Sequence, residues 1–228
     1  MQTALAAAGL APIFAGSPRS GDTFASRSAV ELRTGTRRTY AADEEVFSEG
    51  DRVVFFYKVV SGAVRTYKLL SDGRRQIDAF HLPGDIFGVE AGEEHRFSAA
   101  AVTETRLIVH RRDARVFVGD DGSLAREVVV AMMRGLERAQ EHMMLLGRKS
   151  AKERIASFML ALSGRSGSRG NTIELPMSRT DIADHLGLTI ESVSRAVTQL
   201  ERDGLIELPP NRRTVILRKT AALRHLAD

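Results

Sequence analysis

The 228-residue chain contains no cysteine. Disulfides, thiol switches and cysteine-ligated zinc or iron–sulfur centres are therefore excluded. If the protein responds to oxygen or redox state, it does so without thiols of its own. No stretch approaches the ~20 apolar residues of a membrane-spanning helix. The opening segment, MQTALAAAGLAPIFAG, is mildly apolar but lacks the basic residues of a secretory signal. These absences point to a cytoplasmic protein with no membrane partner. The six histidines are scattered, and no nucleophile–base pair is evident. Glu90, Glu93, Glu94 and His95 could be imagined around a metal, but they read better as a solvated loop. Neither an enzyme nor a metal protein is favoured.

What is present is ordinary for a soluble globular protein, with 43% apolar and 27% charged residues. The length suits one or two domains with a proper core. The net charge of +4 is unevenly placed. From Gly147 onward there are 14 Lys/Arg against 9 Asp/Glu, and before it 19 against 20. The basic excess sits where contacts to phosphate would need it.

That basic segment holds the stretch SRTDIADHLGLTIESVSRAVTQLERD, from Ser178 to Asp203. It predicts two helices joined by a tight turn. Arg179 to Leu186 is the first, with Ile182, Ala183 and Leu186 on one face. Gly187 ends it, since glycine takes the left-handed angles such a turn needs. Thr189 caps the second helix, whose buried stripe is Val193, Val197 and Leu200. Ala183, Gly187 and Val193 stand at the offsets of a DNA-binding helix-turn-helix. The second helix would lie in the major groove with its polar residues outward. Ile190, Glu191, Ser194 and Arg195 are the candidate base contacts. Arginine can give two hydrogen bonds to guanine, glutamate can accept from cytosine, and an apolar side chain can meet a thymine methyl. Arg179, Thr189, Ser192 and Thr198 are candidates for phosphate contact. An ordinary packed helix pair, with Glu191 and Arg195 merely pairing on the surface, is the alternative.

In chain order, residues 1–27 read as a flexible arm rich in Ala, Gly, Ser and Pro. Residues 28–122 read as short strands cut by glycine turns, at Val53–Val60, Ala63–Leu70, Arg74–Leu82 and Ala99–Val109. That density of strands means a sandwich or barrel. Residues 123–149 form one long helix, with Ser123 as its cap. Val129, Met132, Leu136, Ala139, Met143 and Leu146 fall at alternating spacings of three and four, a seam suited to a partner helix or to the helix's own domain. Gly147 is the expected hinge. In residues 150–228, Lys152–Ser163 is a helix and Ile173–Leu175 a strand. Leu205–Leu208 and Thr214–Leu217 form a hairpin with Arg212 and Arg213 at its tip, placed to touch phosphate.

Gly50-Asp51, Tyr57-x-Val59-x-Ser61-Gly62-x-Val64-Arg65, Asp72-Gly73-Arg74-Arg75-Gln76-Ile77 and Phe80-x-x-Pro83-Gly84-Asp85-x-Phe87-Gly88 resemble the β-roll of the CRP/FNR transcription regulators. The resemblance runs from about Tyr40 to the C-terminus. It implies an α+β fold: a cyclic-nucleotide-binding-type β-roll, a long dimerisation helix and a C-terminal winged helix-turn-helix. Glu191, Ser194 and Arg195 are similar to the Glu-x-x-Ser-Arg form of the FNR/FixK branch. The resemblance implies a homodimer on a TTGA–TCAA inverted repeat of double-stranded DNA, contact with RNA polymerase, and gene activation in oxygen-limited or nitrogen-fixation metabolism. The nucleotide-binding triplet is altered to Gly88-Val89-Glu90, and the phosphate segment to His95-Arg96-Phe97-Ser98. No cofactor is therefore expected. The rival readings are an effector-gated CRP-like regulator with an unidentified small ligand, an enzyme on the β-roll, and a protein-interaction module.

Overall fold

The computed structural model describes residues 35–112, 122–165, 171–210 and 213–227. The arm at 1–27 and Arg212 lie outside the described residues.

Eight strands build the N-terminal unit: β1 (Thr36–Tyr40), β2 (Glu45–Phe47), β3 (Phe55–Ser61), β4 (Val64–Leu69), β5 (Arg75–His81), β6 (Ile86–Phe87), β7 (Ser98–Ala101) and β8 (Thr105–Arg111). They pair antiparallel in two four-stranded sheets, ordered β1-β8-β3-β6 and β2-β7-β4-β5. Alternate residues of both sheets supply one core of Tyr57, Val59, Val64, Phe87, Ala99, Ala101 and Leu107. The β3–β4 turn requires glycine. Gly62 has φ +82°, and a Cβ there would lie 2.4 Å from the Glu104 carbonyl oxygen.

The predicted last strand, Ala99–Val109, is two strands. β7 pairs with β4 in one sheet and β8 with β3 in the other, so the chain must turn between them to change layers. The buried Thr105 hydroxyl holds that corner by accepting from the Ala63 N–H.

Helix α1 (Ser123–Arg148) follows. Ser123 is its first helical residue and not its cap. The cap position belongs to Gly122, at φ 57° and without a side-chain capping bond. Nor does the chain bend at Gly147, which stays helical. The break falls at Lys149, whose φ of −71° and ψ of 137° are extended. A new helix start dictates that position: the Ser150 N–H donates to Glu153 Oε2 at 2.7 Å, and the Glu153 N–H donates back to Ser150 Oγ at 3.4 Å. Helix α2 (Ala151–Arg165) begins there.

Helix α1 carries two apolar stripes. Leu124, Val128 and Ala131 pack on Phe56 and Ile86 of the β-roll, and Leu145 enters the C-terminal core. Val129, Met132, Leu136 and Met143 form the second stripe and are 55–66% exposed.

The C-terminal unit contains α2, β9 (Thr172–Glu174), α3 (Arg179–Leu186), α4 (Ile190–Arg202), β10 (Ile206–Glu207), β11 (Thr214–Leu217) and α5 (Thr220–Ala227). The strands form a small antiparallel sheet ordered β10-β11-β9. Ile155, Met159, Ile173, Ile182, Leu186, Leu200, Leu217 and Leu223 fill its centre. Ala63, Ile77, Phe80 and Leu82 of the β-roll belong to the same cluster. Among the described residues, no helix is long and apolar enough to cross a membrane.

Candidate nucleic-acid interface

Helices α3 and α4 form the pair expected from the sequence. Ser178 caps α3 reciprocally with Asp181. Its hydroxyl accepts from the Asp181 N–H at 3.0 Å, while its own N–H donates to Asp181 Oδ2 at 3.1 Å. Gly187 closes α3 with φ 62°, and its N–H bonds to the Ala183 carbonyl. Thr189 then opens α4, its hydroxyl accepting from the Ser192 N–H at 3.2 Å.

The two faces of α4 are chemically opposite. Val193, Ala196, Val197 and Leu200 are buried. Ile190, Glu191, Ser194, Arg195 and Thr198 are exposed on the other side. Both ends of the helix are fixed. At the C-terminal end Asp203 accepts from Lys152 of α2 at 2.5 Å and from Gln199 at 2.8 Å. A helix with side chains is about 10–12 Å across, which fits the ~12 Å major groove. Four of the exposed side chains can offer hydrogen bonds there, and Ile190 offers an apolar contact.

Glu191 is held below the usual carboxylate range, first by its own backbone N–H, then by the Thr189 hydroxyl, with a smaller pull from Arg195. It therefore stays an acceptor at neutral pH. Thr189 and Ser192 spend their hydroxyls partly on each other, at 3.1 Å. Arg179 lies in the first turn of α3 and is only partly exposed. Arg213 is exposed beside β11, and its carbonyl is tied to the Leu175 N–H at 2.7 Å.

The predicted dimer seam divides. Val129, Met132, Leu136, Ala139 and Met143 share the open face of α1. Leu146 ends the same stripe but packs partly buried against the C-terminal core. Beside it, Arg154 gathers carbonyls at two helix ends. Its guanidinium donates to Leu146 and Lys149 at the end of α1 and to Leu186 at the end of α3, at 2.8–3.2 Å. Arg154 thus locks the reading unit to the long helix. Sequence reasoning missed it because the Leu186 carbonyl is 32 residues away. It also missed Ser178 as a cap, although Ser-x-x-Asp before an apolar stripe is a legible signal.

In the β-roll, the altered nucleotide segments engage each other. Arg96 Nε donates to Glu90 Oε2 at 3.0 Å, and the His95 ring stacks on Phe47 with centroids 3.7 Å apart. The backbones of Glu93 and His95 hydrogen-bond to Val53, Gly50 and Asp51. The loop from Glu90 to His95 is therefore pinned as structure, with Glu90 already paired.

Comparison with known proteins assigns the same two units. Residues 37–116 match the cyclic nucleotide-binding domain family, and residues 153–226 match the Crp-like helix-turn-helix domain family. The chain is 49% identical over 212 residues to the nitrogen fixation regulation protein FixK of Azorhizobium caulinodans, covering 91% of this chain and 85% of that one. It is 47% identical over 191 residues to FixK of Rhizobium meliloti, covering 83% and 86%. The solved structure of FixK2 from Bradyrhizobium japonicum superimposes with a TM-score of 0.78 at 44% identity, over 85% of this chain and 97% of that one. The exposed polar face of α4, the flanking small sheet and these likenesses agree: the chain belongs to the CRP/FNR family of DNA-binding transcription regulators, on its FixK-like side.

Proposed function

We propose that the protein acts in the cytoplasm as a homodimeric activator that reads an inverted repeat with TTGA and TCAA halves. The programme it serves is oxygen-limited or nitrogen-fixation gene control, by likeness to the FixK proteins. Activation would include a contact with RNA polymerase. The division of labour is a β-roll at 28–122, a dimerisation helix at 123–149 and a reading domain at 150–228.

One observation carries this reading. The N-terminal half of α4 presents Glu191, Ser194 and Arg195 together on an exposed face, while its opposite face is fully packed. Arg195 reads guanine, Glu191 accepts from cytosine, Ser194 reaches a base edge or phosphate, and Ile190 meets a thymine methyl. Arg179, Thr189, Ser192, Thr198, Arg212 and Arg213 hold the backbone. Two such helices must lie about one helical turn apart, ~34 Å. The open stripe of Val129, Met132, Leu136, Ala139 and Met143 supports a partner helix of the same kind, because so much contiguous apolar surface is unusual on a monomer. No cofactor is required in this scheme, and the Glu90–Arg96 pairing supports that.

Selection of bound sequences from random duplex DNA tests the whole reading. Recovery of an inverted TTGA–TCAA repeat is expected. Recovery of a single unpaired motif, or of none, overturns it. Effector gating is tested by exhaustive dialysis, after which operator affinity should be unchanged.

A further inference from the structure

The first helix of the helix-turn-helix pair is gripped from outside its own domain. Arg75 on β5 places its Nη2 2.6 Å from Asp181 Oδ1 and its Nε 2.8 Å from Asp184 Oδ2. Both carboxylates belong to α3. Arg65, on the neighbouring strand β4, reaches Asp181 Oδ1 at 3.5 Å and is itself held by Asp43 at 2.8 Å. Arg75 lies over the Tyr67 ring, 5.9 Å from its centroid. Two further contacts bring α3 to the same strand. His185 Nδ1 meets the Ile77 carbonyl at 3.2 Å, and Gln76 Nε2 donates to the His185 carbonyl at 3.4 Å.

This arrangement has three physical properties of a positioning device. First, Asp181 is only 4% exposed and already serves α3 as its capping carboxylate, so the arginines attach to a buried point of the helix that is already hydrogen-bonded. Second, the arginine fork fixes direction as well as distance, which a flexible lysine cannot do. Third, the grip touches no residue of the exposed α4 face, so it leaves base reading free.

We infer that Arg75, assisted by Arg65, is a positioning residue for DNA binding. It clamps Asp181 and Asp184 so that the β-roll holds the reading unit at one fixed angle to α1. The consequence appears only when both halves of a dimer must engage together. A fixed angle raises the effective concentration of the second reading helix at its half-site, a gain that reaches ~10²–10⁴ where geometry matches. The inference rests on the dimeric reading above.

The experiment compares the full-length protein on two duplexes, one with an intact TTGA–TCAA repeat and one with a single half scrambled. Arg75→Ala is expected to weaken binding to the intact repeat by tenfold or more and to change half-site binding less than twofold. Arg75→Lys should recover only part of the loss, since it restores charge without the fork. If Arg75→Ala fails to fold, Asp184→Asn gives the same selective loss at smaller amplitude, because Asp181 remains clamped. Equal losses on both duplexes would show a merely structural role and overturn the inference. No loss on either would overturn it as well. A wild-type protein that binds both duplexes equally would bring down the dimeric reading itself, so the two failures are distinguishable.

Discussion

The two helices of the DNA-binding pair, α3 and α4, are treated in opposite ways by the rest of the molecule. α3 is enclosed: Asp181, Ile182, Ala183 and Leu186 are buried, and Arg75, Gln76 and Ile77 of the β-roll all touch it. α4 is anchored along one side and left open along the other. The helix proposed to read bases is thus unencumbered on its open face, while the one beside it takes the attachments to the β-roll. Attachment to the β-roll and the proposed base reading thus fall on neighbouring helices, joined by Gly187.

The sharpest way to break this contrast is to loosen the packing under α4. Leu200 is fully buried. Leu200→Ala should cost about 2–5 kcal/mol of stability. Chemical denaturation would show it as a lower midpoint with an unchanged slope, and DNA binding would fall only as far as folding does. Next comes the open face. Arg195→Ala should cost about 1–3 kcal/mol of discrimination between operator and scrambled DNA. It should leave folding unchanged and keep weak, salt-sensitive binding. Paired titrations on both duplexes would measure it, and full discrimination in that variant would refute the base-reading role.

The enclosed side should respond to acid. Burial pushes His185 down to about 3 and His81 down to about 4. His185 faces His142, Arg165 and the Ile77 carbonyl. His81 faces Asp85, Arg138 and Arg165. An unfolded histidine titrates near ~6.5. Between that value and the folded ones, the unfolded chain binds more protons, so stability is lost as pH falls from neutrality through that window. Each histidine contributes a slope of up to about 1.4 kcal/mol per pH unit. Asp78, raised chiefly by burial, acts with the opposite sign and partly offsets them. Thermal melts between neutral and mildly acidic pH would reveal the net slope, and a flat profile would contradict it. The smallest effect should come from the α4 cap. Thr189→Ala should cost about 1 kcal/mol, read as a modest drop in melting temperature.

Much of this was legible in advance because it depends on neighbours in sequence. The sequence predicts helix α3 at Arg179–Leu186, and it lies there. The Val193, Val197 and Leu200 stripe, the Gly187 turn and the Thr189 cap are all local patterns of spacing and residue type. Glycine turns bracketing apolar runs predict strands at Val53–Val60, Ala63–Leu70 and Arg74–Leu82, and strands lie at Phe55–Ser61, Val64–Leu69 and Arg75–His81. Strand β1 is not legible in the sequence, because TRRTY has four exposed residues in a row and no alternation. β6 is only two residues long. The long helix posed a different difficulty. Its two apolar stripes have the same three–four spacing, and spacing cannot say which one the chain covers itself.

Composition and local order alone determined that this chain carries a helix-turn-helix on a basic segment, without thiol chemistry. Turn residues, caps and hydrophobic period act within a few positions, so they survive in a string of letters. Only the tertiary structure decided that the β-roll and the reading domain share a core, that Arg154 stitches two helix ends together, and that Arg75 holds α3. The bond from Arg154 to Leu186 spans 32 positions and that from Arg75 to Asp184 spans 109. Their energy exists only once the fold has brought the partners together and removed water from between them.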